Sequence, residues 1–209
     1  MPKENVTRGY GLLEEFLAKQ RCRIASKLMP PVHGKGRILD IGCGMHPLFL
    51  LSTSFAEKYG LEKFHPQDHA HLKDQGLTIV CRDMEKETEL PFPSNFFNVV
   101  TMLAVFEHME PDRLAPLIKE IHRVLRPEGV YILTTPAFWT DGLLRVLARL
   151  KIVSSVEIDE HKAAYSHSSI SRLLQNGGFL KGMLRFGYFE MFMNIWATAT
   201  KQRIEAEDA

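Results

Sequence analysis

The sequence predicts an α/β fold: a doubly wound seven-stranded sheet, mostly parallel, with a C-terminal antiparallel hairpin. Three observations carry that prediction. Apolar, β-branched runs alternate with helical patterns, as in "RILDI" (37–41), "LTIVCRD" (77–83), "FFNVVTML" (96–103) and "VYILTT" (130–135). The runs are nearly continuous in apolar residues, which marks parallel strands covered on both faces. A glycine-rich turn, Gly42-Cys43-Gly44, follows the first run directly, the place where open α/β sheets bind ligands.

The elements follow in order. Residues 11–28 place Leu12, Leu13, Phe16, Leu17, Ile24 and Leu28 near helical spacing, and Pro30-Pro31 stops that helix. After the strand at 37–41 the pattern is helical from Pro47 onward, proline being suited to a first turn whose N–H would be unpaired anyway. "EKYGLE" (57–62) is a weaker strand. Residues 111–125 predict a helix, 126–129 a turn, and 168–175 a further helix closed by Gly177-Gly178. The final stretch holds two extended apolar runs joined around Gly187-Tyr188, an antiparallel pair that finishes the sheet.

Composition narrows the function classes. A chain of 209 residues is the size of one domain with a full core. Lys and Arg total 26 against 25 Asp and Glu, which offers no basic stripe for nucleic acid. Cys22, Cys43 and Cys81 form no CxxC pair, so neither a disulfide framework nor a zinc site is implied. The N-terminus is unlike a signal peptide, and no apolar run reaches the 18 or so residues of a membrane span. The expectation is a cytoplasmic protein without integral membrane association; oligomeric state leaves no mark in the sequence.

Two cofactor classes suit the turn. Glycine permits positive φ and close approach of a ligand, and a helix starting near His46 would present N–H groups to an anion. The dinucleotide pattern G-x-G-x-x-G would place its third glycine on Pro47, a poor substitute beside a pyrophosphate. A ligand carrying a carboxylate and an ammonium asks less of the turn, and Asp40 could face the ammonium. S-adenosylmethionine is such a ligand.

"LDIGCG" (39–44) resembles motif I of the class I S-adenosylmethionine-dependent methyltransferases, of the methyltransferase type 11-like kind, with His46 in place of a last glycine. The likeness runs on through "LPFPSNFFNVV", where Asn98 replaces a usual Asp, and "EIHRVLRPEGVYILTTP", where Glu128 replaces a common glycine. It implies a Rossmann-like fold, S-adenosyl-L-methionine as cofactor and S-adenosyl-L-homocysteine as product. It further implies cofactor contacts from Asp40, Gly42, the Cys43 amide and Gly44. Glu62, preferred over Asp68, would take the two ribose hydroxyls. Asp83 and Met84 would meet the adenine, and Leu103-Ala104 the methionine ammonium. The expected organisation is a single domain over 1–209, with a helical extension at 1–35 and an acceptor-region insertion at 137–167.

The acceptor side is less defined. His108 follows the fourth strand at the mouth of the site, where a histidine could accept a proton; it could equally hold the loop with Glu107. His161, Tyr165 and His167 offer either acceptor contacts or a polar surface loop. His65, His69 and His71 lack a fixed third ligand, and no metal is expected. The amphipathic stretch 142–153, with Arg145, Arg149 and Lys151, is compatible with a helix packed on the sheet or with a lid for a lipid-like substrate. Phe186, Tyr188, Phe189, Phe192 and Trp196 fit a sheet core. The expected activity is methyl transfer to an O- or N-nucleophile of a small molecule. The alternatives are a non-catalytic S-adenosylmethionine-binding protein and an NAD(P)-dependent oxidoreductase.

Overall fold

The computed structural model describes residues 14–31, 36–63, 72–73, 76–140 and 165–203. Seven strands form one sheet: β1 (Arg37–Ile41), β2 (Glu57–Glu62), β3 (Leu77–Cys81), β4 (Phe97–Leu103), β5 (Leu125–Pro136), β6 (Leu184–Phe189) and β7 (Asn194–Thr200). Their order is β3-β2-β1-β4-β5-β7-β6. The pairs from β3 to β5 are parallel, while β7 runs antiparallel to both β5 and β6. The expected sheet, mostly parallel with a terminal hairpin, is therefore present. The chain winds outward from β1 to β3, then crosses back to lay β4 on the other side of β1. That reversal is the switch point at which open sheets take ligands.

Two apolar layers hold the sheet. Leu39, Ile41, Val100, Met102, Tyr131 and Leu133 point into one core, closed by α3 (Pro111–Val124) and α4 (His167–Asn176). Ile38, Val99, Val130 and Ile132 point the other way, under Ala25 of α1 (Glu14–Leu28). In α3, Leu114, Leu117, Ile118, Ile121 and Val124 are buried, the spacing of one helical face. α4 starts on a capping box in which the Ser166 hydroxyl accepts from the Ser169 amide and the Ser169 hydroxyl accepts from the Ser166 amide. Past its end, a Cβ on Gly177 would stand 2.1 Å from Ile118 Cγ2, so glycine lets α3 and α4 approach.

Three expectations need correction. The helix after the glycine turn is a single turn, α2 (Leu48–Ser52), and Pro47 precedes it at φ −74° and ψ 62°. That ψ is not helical, which puts Pro47 at the N-cap and not in the first turn. The last two strands do not join at Gly187-Tyr188. Gly187 lies inside β6 opposite Trp196, whose indole fills the space a Cβ would need, with Cζ2 at 2.4 Å. The reversal instead uses Glu190, Met191 and Phe192, all at positive φ. Finally, β5 begins at Leu125: it pairs with Phe97, and the register then shifts before Val99 meets Val130.

Asn98 and Glu128 lie far from the site, at the amino end of the parallel strands. Asn98 Oδ1 accepts the Arg37 amide at 2.9 Å, so an amide serves there where an acid is usual. Glu128 sits at φ 66°, the left-handed conformation a glycine would adopt freely. Nearby, the buried Lys201 donates to Asn95 Oδ1 and the Leu125 carbonyl, each at 2.8 Å, and to the Arg123 carbonyl at 3.4 Å. This one ammonium ties the end of α3 to the loop before β4.

Candidate functional site

The site forms where β1, β2 and β4 end. Gly42 and Gly44 stand at φ 73° and 72°, which turns the chain sharply after β1. At Gly42 a Cβ would meet Val105 Cγ2 at 2.4 Å, whereas at Gly44 nothing among the described residues lies within 4 Å. The first glycine is thus required by packing, and the second opens onto free space. The loop is tied to β2: the amides of Gly42 and Cys43 donate to the Leu61 carbonyl at 2.7 and 3.3 Å. The Gly44 amide donates to Glu62 Oε2 at 2.9 Å, and the Lys63 amide to Glu62 Oε1 at 2.8 Å. Two amides fix the plane of that carboxylate at the lip of the turn.

Asp40 is buried beside them. Its Oδ1 accepts a 2.6 Å hydrogen bond from the Thr101 hydroxyl, reached because Asp40 and Thr101 are register partners across β1 and β4. Burial raises the Asp40 carboxyl to about 7, the Thr101 hydrogen bond pulls it down, and the charge of Glu62 raises it further. Among the described residues no cation pairs with this carboxylate. Two buried carboxylates, Asp40 and Glu62, therefore face one turn whose outer glycine leaves open space.

The other expected residues are placed as follows. The Cys43 side chain is buried against Gly60, and burial, then the charges of Asp40 and Glu62, pushes its thiol well up, against any nucleophilic role. Its amide bonds to Leu61, so the expected cofactor contact from that N–H is not free in this arrangement. Asp83 caps its own turn, accepting from the Glu85 amide at 3.1 Å and pairing with Lys86 at 3.0 Å. Met84 is buried in the core behind it. At the end of β4, Leu103 is half-buried and Ala104 takes φ 54°, its amide donating to the Thr134 carbonyl at 3.1 Å. An alanine in that region stores about 1–2 kcal/mol of strain.

Ala104 leads into a short 3-10 turn, Phe106–His108. His108 is half-exposed, whereas Glu107 before it is buried at 3 % exposure. Tyr165 is a core residue, its ring 4.7 Å from Phe106 and its hydroxyl donating to the Met109 carbonyl at 3.4 Å; it is no part of a polar surface loop. His167 stacks on Tyr188 at 4.4 Å, and burial lowers its pKa against a hydrogen bond to the Gly187 carbonyl that raises it. Phe186 and Tyr188 pack on the core as expected, but Phe192 is 67 % exposed. His65, His69, His71, Asp68, His161 and the 142–153 stretch lie outside the described residues. Among the described residues no group of three potential ligands could hold a metal, and no helix is long and apolar enough to cross a membrane.

Sequence reasoning missed Thr101, Glu107 as a buried group in its own right, and Thr135. Only the strand register brings Thr101 to Asp40. A carboxylate directly after an apolar strand and beside Phe106 was the one available signal for Glu107.

Comparisons with known proteins agree with this geometry. Residues 39–133 match the family model described as a methyltransferase domain. The chain is 31 % identical over 182 residues to 27-O-demethylrifamycin SV methyltransferase of Amycolatopsis mediterranei, covering 77 % of this chain and 64 % of that protein. It is 29 % identical over 125 residues to a sterol 4-C-methyltransferase of Caenorhabditis elegans, covering 57 % of this chain and 36 % of that protein. The chain thus spans less than two thirds of either relative. An S-adenosylmethionine-dependent methyltransferase structure from Thermotoga maritima superposes with a TM-score of 0.68 at 18 % identity, covering 91 % of this chain and 92 % of that one, which is a likeness of fold. The residues fit the cofactor of such proteins: a buried carboxylate that no described cation pairs, for an ammonium, a fixed two-oxygen acceptor for a vicinal diol, and a glycine with no described atom against it. Over residues 39–133 the chain matches a methyltransferase domain, and its motifs and sheet are like those of the class I S-adenosylmethionine-dependent methyltransferases.

Proposed function

We propose that this protein transfers a methyl group from S-adenosylmethionine to an oxygen or nitrogen nucleophile of a small molecule. The observation that carries the reading is the arrangement of Asp40, Gly44 and Glu62 around one turn at the switch point of the sheet. In this reading Asp40 and the backbone carbonyls of Leu103 and Ala104 face the methionine ammonium. Glu62 accepts from the ribose hydroxyls, and the Asp83-Met84 turn borders the adenine. The bound sulfonium supplies an already activated methyl group, so the chemistry asks no metal of the protein.

What remains for the chain is positioning. Holding a nucleophile in line with the methyl and sulfur is worth roughly 7–11 kcal/mol when the geometry is well set. If the nucleophile is a hydroxyl, a base at the mouth adds about 10²–10⁴-fold, and His108 is proposed for that role. The rifamycin relative, named for O-methylation, supports a hydroxyl on a large small molecule as acceptor. The insertion 137–167 is proposed to shape the acceptor site.

Titration calorimetry with S-adenosylhomocysteine, NAD and NADP tests the cofactor assignment. Tritiated methyl transfer to a panel of alcohols and amines then tests the activity. Binding of NAD in preference to S-adenosylhomocysteine would sink the reading.

A further inference from the structure

We infer that Glu107 and Thr135 form the socket for the polar group of the methyl acceptor, a group that donates a hydrogen bond: an alcohol O–H or an amine N–H. The inference rests on the methyl-transfer reading above and adds to it the residues that recognise the acceptor.

The starting point is two polar atoms that lack partners. Glu107 is 3 % exposed and Thr135 is 1 % exposed. Glu107 Oε2 and Thr135 Oγ1 are fully shielded, and among the described residues neither has a hydrogen-bond partner. Buried polar side chains nearly always find a partner, and each orphan is costly to keep. The neighbouring Thr134 shows the ordinary solution, its hydroxyl accepting the Ala104 amide at 3.1 Å.

The two orphans share a region of the fold. Glu107 sits in the short turn that Ala104 and Val105 join to β4, and Thr135 is the penultimate residue of β5, the next strand. Tyr131, Leu133 and Ala137 of β5 all join the core on the α3–α4 side. Thr135, in step with them, points the same way. Phe106 lies in that core as well, its ring against Tyr165, and Tyr165 bridges to Ala137, two residues beyond Thr135. The charge of Glu107 also reaches the Tyr165 phenol, which burial, then Glu107, pushes up to about 12. Glu107 therefore follows the carboxyl end of β4 and Thr135 lies at that of β5, on the α3–α4 side of the sheet, while Asp40 and Glu62 alternate to the other side.

The chemistry selects the ligand. An ionised carboxylate only accepts hydrogen bonds, whereas a threonine hydroxyl can donate or accept. The pair is satisfied by a donor that also accepts, which describes an alcohol or an amine. Sites built to hold such a group discriminate strongly against analogues lacking it. Methylating an alcohol removes its donor, so an ether product would leave Glu107 orphaned again and be held less well than the substrate.

The test separates this socket from a merely structural cluster and from the parent reading. Glu107→Leu, Glu107→Gln and Thr135→Val are compared with wild type by thermal unfolding and by calorimetry with S-adenosylhomocysteine. A socket that sacrifices stability predicts that Glu107→Leu and Thr135→Val unfold at an unchanged or higher temperature, by up to roughly 8 °C, with S-adenosylhomocysteine affinity within about twofold of wild type. A fall of comparable size in both variants overturns the inference, because it shows that the groups stabilise the fold. Catechol, tyramine, cholesterol and 27-O-demethylrifamycin SV serve as acceptor probes with tritiated cofactor. For any probe turned over, the inference predicts a loss of at least about 100-fold in kcat/KM in Glu107→Leu, with partial recovery in Glu107→Gln; an unchanged rate contradicts it. Failure of the wild type to bind S-adenosylhomocysteine would instead defeat the parent reading alone.

Discussion

The Thr101 hydroxyl donates to Asp40 Oδ1 at 2.6 Å across 61 residues of chain, inside a part of the sheet where Asp40 is 4 % exposed. This one bond is a partial substitute for a cation. Burial still dominates, and the carboxyl stands near 7.

A pH dependence follows, with a definite sign. The folded Asp40 binds its proton more tightly than the unfolded chain, so its contribution to stability falls as pH rises from about 4 to about 7 and is level above. An ammonium beside it favours the ionised form. Cofactor binding must then release a proton below about pH 7, and affinity for S-adenosylhomocysteine should weaken on acidification by up to about tenfold per pH unit. Calorimetry between about pH 5.5 and 8 checks this, and Asp40→Asn should flatten the profile.

The two turn glycines should respond differently to alanine. Gly42→Ala adds left-handed strain to a 2.4 Å clash with Val105, and should destabilise the fold by about 2–4 kcal/mol. Gly44→Ala adds strain alone, about 1–2 kcal/mol, but its methyl occupies the open space before the turn. We expect Gly44→Ala to fold and to lose at least tenfold in S-adenosylhomocysteine affinity. Thermal unfolding paired with calorimetry separates the two effects.

Glu128 is exposed at φ 66°. Replacing it with glycine relieves the left-handed strain and gives back part of that gain as unfolded-chain entropy. The expected net stabilisation is up to about 1 kcal/mol, a rise in Tm of roughly 2–4 °C, with cofactor affinity unchanged. An unchanged or lower Tm would show that the Glu128 side chain contributes something its geometry does not reveal.

Lys201 is expected to be structural. Lys201→Met removes the donor to Asn95, Arg123 and Leu125 and leaves buried acceptors unmet. The expected cost is about 1–3 kcal/mol, read as a drop in Tm without loss of S-adenosylhomocysteine affinity.

Much of the sheet was legible because each parallel strand is a continuous apolar run, and burial on both faces leaves little choice. The hairpin turn was not. Gly187 has the composition of a turn residue, yet it is glycine to admit the Trp196 ring, while the true reversal uses Glu190, Met191 and Phe192 without any glycine. α2 was overestimated because Pro47 fits the first turn of a helix as well as the residue before one. Within the candidate site, Asp40, Gly42 and Gly44 were legible from a local motif, and Glu62 from its place at the end of the second strand. Thr101 was not, since what matters about it is Asp40 across the strand, and register is invisible to a linear reading; nor was Thr135, whose importance lies in a buried hydroxyl left without a described partner.

The most direct test of the central claim is titration of S-adenosylhomocysteine into the wild-type protein and into Asp40→Ala and Glu62→Ala, with NAD and NADP as comparison ligands. The account predicts micromolar binding of S-adenosylhomocysteine alone, lost in both variants while their folds persist. Binding that survives both substitutions, or that prefers NAD, would contradict the assignment of the Asp40–Gly44–Glu62 turn as the cofactor site.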